Sequence, residues 1–172
     1  MVINCAFIGF GKSTTRYHLP YVLNRKDSWH VAHIFRRHAK PEEQAPIYSH
    51  IHFTSDLDEV LNDPDVKLVV VCTHADSHFE YAKRALEAGK NVLVEKPFTP
   101  TLAQAKELFA LAKSKGLTVT TFHSLGMQIL RKDAKHLGYK PQFSIFDATD
   151  AAQILSDIIK TTDKGEIRGV QQ

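Results

Sequence analysis

The chain has 172 residues, 43% of them hydrophobic and 24% charged, with a formal net charge of +3. That is the size and make-up of one globular α/β domain, and it excludes a disordered chain. Its Lys, Arg and His residues are scattered without forming a basic stripe, and no apolar stretch reaches membrane-spanning length, so neither nucleic acid nor a membrane is called for.

In chain order, apolar runs alternate with amphipathic stretches, the pattern of a parallel sheet covered by helices on both faces. Val2–Ile8 predicts a first strand ending at Gly9, with a helix to about Leu23. Val31–Phe35 predicts a second strand, and Ile51–Phe53 a short third followed by a helix over Leu57–Leu61. The Val-rich run Leu68–Cys72 predicts the fourth. Ser77 and Glu80 have capping-box spacing for a helix ending at Gly89, and Val92–Val94 follows as a fifth strand. Thr99 then Pro100 reads as an N-cap and first helical position. Leu102, Ala105, Leu108, Phe109 and Ala112 form that helix's apolar stripe, and Gly116 closes it. Leu117–Phe122 predicts a sixth strand.

Past this point Met127, Leu130, Ala134 and Leu137 line a helix ended by Gly138, and Phe143–Phe146 predicts a seventh strand. Asp147 can cap a last helix whose core face is Ala151, Ile154, Leu155, Ile158 and Ile159. The polar tail from Gly165 is expected to fray. The expected architecture is an α/β, Rossmann-like, doubly wound parallel sheet of about six to seven strands in three layers, forming one domain over residues 1–172. Cys5 and Cys72, the only cysteines, fall in apolar runs and read as buried thiols, which suits a reducing cytoplasm better than a disulfide. The start of the chain runs straight into a strand, without the basic leader of a signal peptide. The oligomeric state stays open between monomer and weak dimer.

Gly9-Phe10-Gly11 stands between the first strand and the first helix, where a dinucleotide pyrophosphate rests on a helix N-terminus. Gly9 permits the tight turn, Gly11 lets a phosphate approach the backbone, and Lys12 and Ser13 open the helix. The third position of the fingerprint is Thr14 instead of Gly or Ala, so the motif is incomplete. Gly11-Lys12-Ser13 also ends like a nucleoside-triphosphate loop, but Phe7 and Ile8 read as strand, which makes that match accidental. The second strand ends in Phe35-Arg36-Arg37, where an acid would read the ribose of NAD. Two guanidiniums suit a 2′-phosphate and so favour NADP; a solvated basic turn is the alternative. Glu95-Lys96-Pro97 ends the fifth strand, and Lys96 is either a proton donor to a carbonyl-to-be or an ordinary surface lysine. The pairs His50/His52 and His74/His78 lack an obvious third metal ligand.

Gly9-Phe10-Gly11, Thr73 through His78, and above all Ala88 through Pro97 resemble the Gfo/Idh/MocA family of NAD(P)-dependent oxidoreductases, over residues 1 to about 120. The resemblance implies that Gly9 and Gly11 meet the pyrophosphate. It also implies that Thr73, His74 and His78 line the nicotinamide side, and that Glu95 and Lys96 face cofactor and substrate. Thr121 through Gly126 and Phe143 through Asp147 resemble instead the Rep/UvrD class of DNA helicases, in which the Thr-Phe-His-Ser turn lies near single-stranded DNA. The chain therefore reads as an engineered chimera spliced within a shared strand: an NAD(P)-binding module without the family's substrate domain and without turnover of its own. Two alternatives remain, a residual oxidoreductase acting on a sugar or polyol through Lys96, and a weak nucleic-acid-binding segment.

Overall fold

A computed structural model of the chain describes residues 2–140, 143 and 148–169. They divide into two compact units, Met1–Val119 and Thr120–Gln172.

The first unit is built on five parallel strands: β1 (Ile3–Ile8), β2 (Trp29–Phe35), β3 (His52–Thr54), β4 (Val66–Val71) and β5 (Asn91–Val94), in the order β3-β2-β1-β4-β5. β1 and β4 sit inside the sheet, so Cys5–Ile8 and Val69–Val71 are buried on both faces and read as apolar runs. Cys5 and Phe7 of β1 face one side, where they pack with Val31, Ile34 and with Leu19 and Leu23 of α1 (Leu19–Leu23). Ala6 and Ile8 face the other, against Leu57, Val60 and Leu61 of α2 (Leu57–Asn62) and Ala85 of α3 (His78–Glu87). Helices on both faces give the three layers of a Rossmann-like fold. The third cluster joins Ala82 and Leu86 of α3 to Leu108 and Ala112 of α4 (Leu102–Ser114).

Several expected boundaries move. Among the described residues the sheet has five strands, not six or seven. The expected sixth, Leu117–Phe122, is coil up to Thr121 and helical from Phe122. Its first amide is already engaged, since the Leu117 N–H donates to the Ala112 carbonyl at 3.0 Å and closes the end of α4. Of the expected seventh strand, Phe143 lies outside any strand and 144–146 fall outside the described residues, as does Asp147. α4 starts two residues later than expected: Thr101, whose hydroxyl accepts from the Gln104 N–H, caps it, and not Thr99 before Pro100. Leu102 and Phe109, expected in its buried stripe, are exposed.

The second unit contains α5 (Phe122–Asp133), a 3₁₀ turn over Ala134–Leu137 closed by Gly138 at φ 78°, and α6 (Ala148–Gly169). Thr121 caps α5, its hydroxyl accepting from the Ser124 N–H and bonded to the Ser124 hydroxyl. α6 continues through Gly165 where fraying was expected. Ala134 is buried, but Ile154, Leu155, Ile158 and Ile159, expected to face a core, are 44–60% exposed. A helical period sets which residues share a face; it does not supply a surface to cover them.

Candidate functional site

The carboxyl ends of β2, β1, β4 and β5 lie side by side at one edge of the sheet, and the order of the strands reverses between β1 and β4. In open α/β sheets this is where a crevice forms for a ligand. The ladder runs one residue past β1 on both sides. The Gly9 N–H donates to the Phe35 carbonyl and the Cys72 N–H to the Ile8 carbonyl, each at 2.8 Å.

The turn after β1 begins at Gly9, with φ +108°. A Cβ there would lie 2.9 Å from the Cys72 carbonyl oxygen, so glycine is required both by torsion and by space. The Thr14 hydroxyl donates to the Gly9 carbonyl at 2.7 Å, and Thr14 is fully buried. The residue that departs from the fingerprint is thus the one that fastens the turn. At Gly11 a Cβ would meet no atom within 4 Å, and the chain becomes helical from Lys12. Open space over a backbone that leads into a helix start fits the approach of a phosphate. Phe10 contributes only its backbone to this edge, because its buried ring packs edge-on against Phe53 and Tyr48. Lys12 is exposed and Ser13 half-buried beside it.

After β2 the two arginines part company. Arg36 grips Glu43 with Nε and Nη2, at 2.8 and 3.0 Å from its two carboxylate oxygens, and the Lys40 N–H donates to the same carboxylate. The hydrogen bond from Arg36 holds the Glu43 carboxyl below the usual carboxylate range, against the opposing effect of burial. The Lys40 ammonium reaches the Phe10 carbonyl, tying this segment to the Gly9–Gly11 turn. Arg36 therefore braces the segment, and Arg37 is the exposed guanidinium.

After β4, Ser77 spends its hydroxyl inside the turn, donating to the His74 carbonyl at 2.8 Å and lying 2.9 Å from the Thr73 hydroxyl. It makes no cap bond to α3, which corrects the expected box with Glu80. His74 is exposed; His78 is buried behind the turn, with Nδ1 at 2.8 Å from the Pro97 carbonyl and Nε2 at 3.0 Å from the Thr73 carbonyl. His78 thereby clasps the β4 turn to the segment after β5, and the structure places Thr73 and His74, not His78, on the open side. Cys72 is a buried free thiol that desolvation pushes up to about 11, as it does Cys5.

After β5 the Glu95 N–H donates to the Val71 carbonyl, and the Glu95 carboxylate is partly buried. Oε1 lies 2.7 Å from His18 Nε2, and Oε2 accepts from the Lys96 N–H at 3.2 Å. Burial alone would raise this carboxyl, but hydrogen bonds from His18, the Lys96 amide and Ser13 outweigh it and hold it below its ordinary value. Lys96 is exposed and joined to Pro97 by a cis peptide bond. His18 is the one residue of this cluster that sequence reasoning passes over. Its signal was its spacing, four residues after the inward-facing Thr14. Of the remaining histidines, His52 pairs with Glu59 at 3.1 Å, and no group of three metal-binding side chains occurs among the described residues.

A glycine turn at the switch point and a Glu-Lys-Pro segment at the end of β5 stand on the ligand-binding edge of a Rossmann-type sheet. The sequence profile of the Gfo/Idh/MocA oxidoreductases, with their NAD-binding Rossmann fold, matches residues 3–123, and the chain belongs to that family. It is 97% identical over 124 residues to the oxidoreductase YhhX of Escherichia coli K12, a match covering 72% of this chain and 36% of YhhX. It is 30% identical over 122 residues to IolW of Bacillus subtilis, a scyllo-inositol 2-dehydrogenase (NADP(+)), covering 71% of this chain and 33% of IolW. The crystal structure of oxidoreductase yhhX superimposes with a TM-score of 0.68 at 86% identity, covering 78% of this chain and 40% of that one. The chain spans about a third of the length of these curated relatives.

Proposed function

We propose that residues 1–119 form a nicotinamide-dinucleotide-binding module that prefers NADP(H), and that the 172-residue chain by itself holds the cofactor without turning over a substrate. The observation that carries this is the turn at Gly9–Thr14: closed from below by the Thr14 hydroxyl and open above Gly11. Gly9 through Ser13 hold the pyrophosphate there, Arg37 takes the 2′-phosphate with Arg36 as its brace, and Thr73, His74, Glu95 and Lys96 bound the nicotinamide end. The bound dinucleotide supplies hydride chemistry. Lys96, exposed at the end of β5, is the proton donor or acceptor that a sugar or polyol hydroxyl would need. IolW, named for such a substrate and for NADP(+), supports both assignments. Hydride transfer also needs the substrate held within contact of the nicotinamide, and we assign that task to residues other than these 172. Titrating the chain with NADPH and NADH tests the reading. NADPH should bind more tightly, Arg37→Ala should remove most of the difference, and equal affinities would defeat the preference.

Residues from about 121 onward form, in the same proposal, a segment taken from a Rep/UvrD-type helicase and joined to the oxidoreductase portion. The resemblance of Thr121 through Gly126 carries this part. With Thr121 and Ser124 bonded to each other as a helix cap, the segment contributes structure and not strand recognition. DNA-stimulated ATP hydrolysis should therefore be absent, and its detection would overturn this assignment. The two free, buried thiols favour the cytoplasm as the setting.

A further inference from the structure

The His18–Glu95 pair is the strongest polar contact at this edge that the binding function has not absorbed. It joins the helical segment after β1 to the end of β5, and β4 lies between β1 and β5 in the sheet. Two donors converge on the Glu95 carboxylate: His18 Nε2 on one oxygen and the Lys96 amide on the other. The side chain is 26% exposed, so it is held in place yet still meets the crevice. No basic side chain other than His18 lies in salt-bridge contact with it among the described residues.

Where the pyrophosphate lies at Gly9–Gly11 and the adenosine at the end of β2, the dinucleotide runs on across the switch point toward β4 and β5. The nicotinamide ring then comes to the end of the sheet that carries Glu95. Oxidised nicotinamide has a positive ring and reduced nicotinamide a neutral one, so a fixed carboxylate beside it acts on the two forms unequally. We propose that Glu95 is a specificity-determining residue that makes this site favour the oxidised over the reduced cofactor, and that His18 is the positioning residue that keeps its carboxylate turned toward the crevice. This rests on the dinucleotide-binding function proposed above and adds the redox form of the cofactor to it.

The test is calorimetric titration of the intact 172-residue chain with NADP⁺ and with NADPH, read as the ratio of the two dissociation constants. Glu95→Gln keeps size and hydrogen bonding but removes the charge. It should shift the ratio toward the reduced form by about tenfold, the scale of one unit charge met by a partly exposed carboxylate. Glu95→Asp, which keeps the charge, should retain most of the native ratio. His18→Ala should move the ratio in the direction of Glu95→Gln, and His18→Gln, which can still donate to the carboxylate, should restore it. A merely structural role would weaken both forms together and leave the ratio fixed. An unchanged ratio in Glu95→Gln, with both forms still binding, overturns this inference alone. Failure of both forms to bind the native chain overturns the dinucleotide-binding function and this inference with it.

Discussion

Gly9 and Gly11 stand two residues apart and are glycine for different reasons. At Gly9 the backbone has φ +108° and an added Cβ would strike the Cys72 carbonyl at 2.9 Å. Gly9→Ala should therefore destabilise the fold by about 1–3 kcal/mol and lower the melting temperature. At Gly11 nothing lies within 4 Å of an added Cβ. Gly11→Ala should leave the melting temperature unchanged or slightly raised while weakening NADPH binding, because the methyl fills space meant for a phosphate. A parallel loss of stability in both variants would show that the two positions serve the fold alone. Glu43 allows a second residue-scale test. Its side chain is 5% exposed and its carboxyl is held low by Arg36. A carboxyl whose pKa is lowered on folding adds stability above its unfolded pKa, and that contribution is lost as pH falls through the folded value. Acid unfolding curves of the native chain and of Glu43→Gln should thus differ near neutrality and converge at low pH. Curves that stay parallel throughout would separate the brace from any titration.

At the scale of elements, β1, β2 and β4 were legible because interior parallel strands must be apolar on both faces, and such runs stand out in sequence. Gly9–Gly11 and Glu95–Lys96 were equally plain as the segments that follow β1 and β5. Thr14 and His18 were harder: one looked like a defect and the other like an ordinary helix residue. What gives them their roles is contact across the fold, from Thr14 to Gly9 and from His18 to Glu95. The expected sixth strand is absent among the described residues for a local reason. Leu117–Thr121 has strand-like residues, but the end of α4 had already taken the Leu117 amide. β5 is therefore an edge strand among the described residues. The Glu95 N–H points to β4, so by the two-residue alternation of a strand the Val92 and Val94 amides point to the outer edge. Hydrogen exchange should reveal this, with Val92 and Val94 exchanging far faster than Val70 inside the sheet. Equal protection would mean that another strand covers the edge.

At the scale of the molecule, the three clusters of buried apolar residues and the residues packed on them all belong to the unit Met1–Val119. A chain cut back to residues 1–119 should keep its cooperative melt, with a shift of less than about 4 °C, equivalent to about 1 kcal/mol or less for a domain of this size. Differential scanning calorimetry of the two chains checks it, and loss of the transition on truncation would show that the second unit completes the core. The passage over residues 118–121 has a consequence of its own. Its backbone is coil, its side chains are exposed, and a compact unit lies on either side. A protease needs an extended stretch it can draw into its active-site groove, and folded helices and sheets deny it one. Brief digestion with a protease of broad specificity should nick this passage early and leave a resistant fragment whose mass marks the carboxyl boundary of the cofactor-binding portion.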